Sequence, residues 1–325
     1  PEGNIVIKVT REGIYIRPVG ASAENVTGWI DDVRKSASLD SVETASQIKQ
    51  YPILSAHELF LALFPKVSMA DLRRNHWILT APHPLENIPW AALVTQRQSD
   101  GTQGARWLIE DVAVTLSPSI ETWEWLLKRP SSNGRQDFLG IGDPENDEVI
   151  STAQLALKGS RVGPIIPPAV RSRTNRSFTS ELLAVSDIFP ATRRTVLAGT
   201  SATKTNLLAQ PIHEYRAILF STHGYLAGDV YKAMGPALLL SAPADKPDAR
   251  FLLTSDVVSL RLTADVVVLS ACDTSGSDGS PEAEGFSGLT SAFLLAGAKS
   301  VVATLWPVER EATSSLVQHA MRAYK

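Results

Sequence analysis

One cysteine, Cys272, stands in the 325 residues. That scarcity excludes an internal disulfide and a thiolate metal site, and leaves a small buried hydrophobe or a reactive thiol. An excess of charge is also lacking. The formal net charge is −3, so nothing calls for nucleic acid or an anionic membrane surface as a partner. No apolar run approaches the ~18 residues of a membrane span, and the amino terminus carries no signal-peptide pattern. An unpaired cysteine suits a reducing compartment, and the sequence reads as cytoplasmic. There is no P-loop, no G-x-S-x-G elbow and no 34-residue helical repeat. The chain opens on Pro1 rather than Met, which points to a fragment of something longer.

Two short apolar runs organise what is present. Ala217-Ile218-Leu219-Phe220 stops at Ser221-Thr222-His223-Gly224, and Asp265-Val266-Val267-Val268-Leu269 stops at Ser270-Ala271-Cys272-Asp273-Thr274. Continuous runs rich in branched residues and bounded by small or polar ones read as strands buried on both faces of a parallel sheet. In open α/β sheets the chemistry sits at the carboxyl ends of such strands. One strand therefore delivers His223 to that edge and another delivers Cys272. The histidine stands 49 positions before the cysteine, an order and spacing noted for caspase-type proteases. Thiols with a free pKa near ~8.5 need activation at neutral pH, and an imidazole supplies it and can protonate a departing amine. Each residue taken alone has a plainer reading, as packing or as a hydrogen-bonded strand end; the pair at two strand ends favours a dyad.

Elsewhere the pattern gives a coarse map. Ile5 to Val9 and Ile14 to Ile16 predict a hairpin. Helical spacing covers Ala23 to about Ser38, Val42 to Tyr51 and Ala56 to Phe64. His76 to Thr80 and Val112 to Leu116 read as strands, joined through a proline-rich turn in which His83 is a turn residue rather than a ligand. Ser119 to Leu127 reads as a helix with Trp123 buried. Phe138 to Gly142 predicts the first strand of the sheet. Its Gly140-x-Gly142 resembles the start of a dinucleotide fingerprint, but the third glycine is missing, so a nucleotide-binding module is a weak alternative. The basic, proline-containing stretch from Ser151 to Arg176 reads as a long loop. Further expectations are a helix over Ser180 to Phe189, a strand at Thr195 to Leu197 and a helix from Thr203, capped by that residue. A strand at Ala237 to Leu240, a helix start at Thr254, an apolar helix over Gly285 to Leu295 stopped by Gly297, and a strand at Ser300 to Leu305 complete the map. Ser275 to Glu282 lacks the spacing of a calcium loop. No metal or cofactor is expected.

The segments Phe220 to Gly224 and Val268 to Thr274 resemble the CHAT peptidases, relatives of caspases and separase. So do Glu284-Gly285-Phe286-Ser287-Gly288-Leu289, Ala292 to Ala298 and Val301 to Val308, which follow the family's order after its cysteine. The resemblance runs from about residue 76 to 323. It implies a caspase-like three-layer α/β/α sandwich with a mostly parallel central sheet, residues 131–325. A smaller α/β pseudo-protease-like half, residues 1–130 with a helical segment at 23–64, would precede it. It implies a cysteine endopeptidase acting on protein substrates, with His223 and Cys272 as the dyad and the backbone N–H groups of Gly224 and Cys272 as the oxyanion hole. Asp273, Tyr225 and Ser221 are candidates for the substrate pocket, and an acidic Asp273 facing inward would favour a basic residue before the cleaved bond. The resemblance further implies an activating sensor such as a helical-repeat domain, and a role in defence or cell death through substrates such as gasdermin-like proteins. A catalytically silent scaffold of the same fold is the alternative. The family's pattern continues past Tyr324 with another helix and strand, so the resemblance implies a truncated carboxyl terminus.

Overall fold

The computed structural model describes residues 5–37, 51–64, 67, 72, 75–81, 85, 88–98, 101–144, 176–225, 235–243, 246–271, 288–304 and 310–325. The chain divides into two compact units, Pro1–Glu124 and Trp125–Lys325. The expected helix over 42–51, the turn containing His83, the basic loop and the segment 275–282 fall wholly or almost wholly outside the described residues.

In the first unit, β1 (Ile5–Thr10) and β2 (Gly13–Pro18) form the expected antiparallel hairpin. Helices α1 (Ala23–Ala37) and α2 (Ile53–Leu63) follow. Val26 and Ile30 of α1 meet Leu59, Phe60 and Leu63 of α2 in one apolar cluster that also holds Trp90, Leu108 and Val112. That clustering is what residues three and four apart produce on a helix face. Strands β3 (Asn75–Leu79) and β6 (Val112–Leu116) run parallel. Between them β4 (Val94–Gln98) and β5 (Gly101–Trp107) make an antiparallel pair that the sequence reading missed, because its residues are mostly polar. A short helix α3 (Leu108–Asp111) leads into β6, and α4 (Ile120–Lys128) follows it. Trp123 is half-buried rather than buried, edge-on to His76 with centroids 6.4 Å apart.

The second unit is built on β7 (Gln136–Gly142), β8 (Arg194–Ala198), β9 (Tyr215–Ser221), β13 (Val266–Ser270) and β14 (Val301–Ala303). They form one five-stranded sheet in the order β14-β13-β9-β7-β8, and every neighbouring pair is parallel. This is the expected α/β architecture. The chain starts in β7, adds β8 on one side, and then crosses back to add β9 on the other. The switch point thus lies between β7 and β9, where ligands bind in open α/β sheets.

Alternate residues on each strand face opposite layers, as the two-residue period requires. Ile141, Ile218, Phe220, Val267 and Leu269 join a cluster with Leu207, Val257, Leu289 and Phe293. These last four come from α6 (Lys204–Leu208), α7 (Thr254–Val258) and α8 (Gly288–Ala296). Phe138, Ala217, Leu219, Val266 and Val268 face the other way, onto Leu182, Val185, Val317 and Met321. Those belong to α5 (Arg176–Ser186) and α9 (Arg310–Tyr324). Two helical layers therefore cover the sheet. That explains why the strands read as continuous apolar runs rather than alternating ones.

Local signals hold where they were sharp. Thr203 caps α6, its hydroxyl accepting the N–H of Asn206 at 3.1 Å. Gly297 ends α8 with φ 127°, and a Cβ there would lie 2.1 Å from the carbonyl oxygen of Leu262. A polar network runs along the amino ends of the strands. Asp137 pairs with Arg193 at 2.9 Å and lies 4.0 Å from Arg216, which lies 3.6 Å from Asp265. Tyr324 donates its hydroxyl to Asp265 at 3.1 Å.

Candidate active site

The geometry of the site begins with register. Ser221 at the end of β9 pairs directly with Ser270 at the end of β13, and the N–H of Thr222 donates to the Ser270 carbonyl at 3.3 Å. His223 follows Ser221 by two positions, and in sequence Cys272 follows Ser270 by two. Cys272 and Asp273 lie outside the described residues, which stop at Ala271.

On either side of His223 the chain is tied to Leu239. The Thr222 hydroxyl donates to the carbonyl of Leu239 at 2.7 Å. The His223 carbonyl accepts the N–H of Leu239 at 2.9 Å. From there the chain enters β10 (Gly224–Tyr225), which pairs antiparallel with β11 (Ala237–Leu239), itself paired with β12 (Phe251–Leu253). The strand expected at Ala237 to Leu240 is β11, but its pairing with β10 and β12 was not foreseen, since β10 is two residues long and carries no periodicity to read. The Leu239-to-His223 bond makes Gly224 and Leu238 the non-hydrogen-bonded pair of the ladder. The N–H of Gly224 consequently points away from β11.

The imidazole of His223 stands edge-on against the ring of Phe178 in α5, with centroids 4.9 Å apart and planes at 86°. Phe178 is buried, and its carbonyl accepts the Ser221 hydroxyl at 3.5 Å. Of the residues expected to line a pocket, Ser221 is 0 % exposed. Tyr225 is also buried, edge-on to Phe251 with centroids 5.7 Å apart.

Neighbouring β7 explains the two glycines that resembled a nucleotide fingerprint. A Cβ on Gly142 would fall 2.0 Å from the carbonyl oxygen of Ser221, and one on Gly140 would fall 2.7 Å from the Leu182 side chain. At Gly142 the obstacle is backbone and at Gly140 it is the ends of side chains; close packing accounts for both glycines without a nucleotide. Among the described residues no group of His, Cys, Asp and Glu could hold a metal ion, and no helix is long and apolar enough to cross a membrane.

Asp143, directly after β7, escaped the sequence reading. It adopts φ 49°, and its carboxylate accepts the hydroxyl of Thr179, next to Phe178. The signal was a polar residue ending an apolar strand, which is too common to single out.

Residues 32–325 match the CHAT domain family. The chain belongs to that family. The match takes in Phe220 to Gly224, Val268 to Thr274 and the segments from Glu284 to Val308 that carry the resemblance. This CHAT domain is also similar to the mouse protein named Tetratricopeptide repeat protein 28, at 36 % identity over 100 residues. That stretch is 30 % of this chain and only 4 % of the mouse protein. The CHAT family implies a caspase-like, peptidase-related fold, which the three-layer arrangement around a parallel sheet fits.

Proposed function

We propose that this CHAT domain is a cysteine endopeptidase with His223 and Cys272 as its catalytic dyad. The observation that carries the reading is the pairing of Ser221 with Ser270. Two residues beyond that shared rung in sequence, each segment carries one member of the pair. Cys272 would attack the scissile carbonyl as the thiolate. The C–N bond would break with the amine taking a proton from the His223 imidazolium, and water would then hydrolyse the thioester. Gly224 suits an oxyanion donor because its N–H is directed away from β11; the N–H of Cys272 would be the second donor. Losing one such donor costs about 3 kcal/mol of barrier in known cases.

Asp273 would lie beside the nucleophile in sequence, and an inward-facing carboxylate there favours Arg or Lys before the cleaved bond. The similarity to a tetratricopeptide protein supports control by a helical-repeat sensor, on the same chain or on a partner. The lone thiol suits a cytoplasmic setting. Pore-forming, gasdermin-like proteins and a role in defence or cell death rest on the family resemblance alone. They form a first substrate panel.

Cys272→Ala and His223→Ala, each compared with the parent chain on a peptide panel varying Arg, Lys, Met, Leu and Asp before the cleaved bond, test the reading. Turnover by the parent that both variants lose is the expected result. Cleavage retained by Cys272→Ala overturns the nucleophile. A preference for Asp overturns the role given to Asp273. A parent without turnover, whose thiol also reacts slowly, supports the silent-scaffold reading instead.

A further inference from the structure

Among the described residues Asp143 is the one non-glycine residue with positive φ. Asp tolerates that region better than most residues, yet the conformation is costly enough to need support from its surroundings. The support is specific. The Asp143 N–H donates to the carbonyl of Ser221 at 3.1 Å, and its own carbonyl accepts the N–H of Gly199 at 3.0 Å. Its carboxylate accepts the hydroxyl of Thr179. One residue thus ties together the end of β9, the turn after β8 and the first turn of α5.

Two of these ties lead to the same imidazole. Ser221 lies two residues before His223 on the backbone. Thr179 follows Phe178, whose ring meets the imidazole edge-on and whose carbonyl accepts the Ser221 hydroxyl. An imidazole at a strand end can still turn about its own side-chain bonds. A buried ring packed edge-on at 86° to it narrows that freedom.

We propose that Asp143, acting through Thr179 and Phe178, is a positioning residue that fixes the ring plane of His223. This rests on the dyad reading, since a fixed plane matters only if a ring nitrogen must meet a sulfur. The carboxylate acts as a hydrogen-bond acceptor for Thr179 and not as a charge facing the imidazole. Asn can replace it in that role, because Asn accepts through its amide oxygen and also tolerates positive φ.

The single cysteine makes the test clean, because iodoacetamide labelling of the full chain at neutral pH reads one thiol. Four variants are compared with the parent: Asp143→Ala, Asp143→Asn, Thr179→Val and His223→Ala, each with its melting curve. Asp143→Ala and Thr179→Val are expected to slow labelling about tenfold, as displacement rather than removal of the activating base should. Asp143→Asn is expected to stay within about twofold of the parent, a rescue that loss of charge would not allow. Thr179→Val leaves both backbone ties of Asp143 intact, so it decides the matter if Asp143→Ala does not fold. Slow labelling in His223→Ala alone overturns the positioning role and leaves the dyad standing. Asp143→Asn as slow as a folded Asp143→Ala overturns the acceptor role. His223→Ala labelling at the parent rate overturns the dyad and this proposal with it.

Discussion

Ser221 and Ser270 face each other across adjacent parallel strands, on the last shared rung before β9 and β13 leave the sheet. The rung sets a common origin for the two segments that follow. On its other side β9 is approached closely by β7, whose Gly142 pairs with Ser221.

At Gly142 that approach leaves no room for a side chain. Gly142→Ala would place its Cβ 2.0 Å from the Ser221 carbonyl oxygen. Backbone on the neighbouring strand cannot give way as a side chain would. The substitution is expected to cost about 3 kcal/mol or more, and to displace the strand that carries His223. Urea denaturation of the parent and the variant measures the loss. An unchanged midpoint would show that the strands part more easily than their spacing indicates.

Thr203→Ala removes the side-chain acceptor at the start of α6, leaving the Asn206 N–H without that bond. A loss of about 1 kcal/mol is expected, and Thr203→Asn should recover most of it. Denaturation midpoints of the three proteins check the order. An alanine variant as stable as the parent would mean that the isolated bridge between Thr203 and Ser241, which the backbone keeps, holds this helix start by itself.

Tyr324 gives a pH dependence. Burial first, and then the negative charge of Asp265, push its phenol up to about 12 from the ordinary 10.0, although Arg216 pulls the other way. A phenol that holds its proton longer in the folded state contributes stability that is complete below pH 10. It is lost as pH rises through about 12, because over that window the unfolded chain releases the proton first. Tyr324→Phe should therefore lose stability less steeply between those two values than the parent. Parallel slopes would show that the phenol titrates alike in both states.

Much of this was legible because burial on both faces leaves a plain trace. Val266 to Leu269 and Ala217 to Phe220 could be read as central strands because no alternation interrupts them. Thr203 and Gly297 were legible because caps and left-handed stops select few residues. The β4–β5 pair was not, since Val94 to Gln98 and Gly101 to Trp107 carry too few apolar residues to show a period of two. Of the ribbon β10–β12 only β11 could be read, from Ala237 to Leu240; β10 and β12 are two and three residues long and are defined by their partners. At the site, His223 could be read from its place after a strand, whereas Phe178 and Asp143 owe their relevance to a crossover that brings α5 and β7 against β9. Such proximity is set by topology, and no spacing along the chain encodes it.

The network of Asp137, Arg193, Arg216, Asp265 and Tyr324 lies along the amino ends of the strands, and His223 lies beyond the carboxyl end of β9. An all-parallel sheet separates these two rims by the full length of its strands. Improvements in resilience can thus be engineered at one rim while the opposite one is left free to diversify.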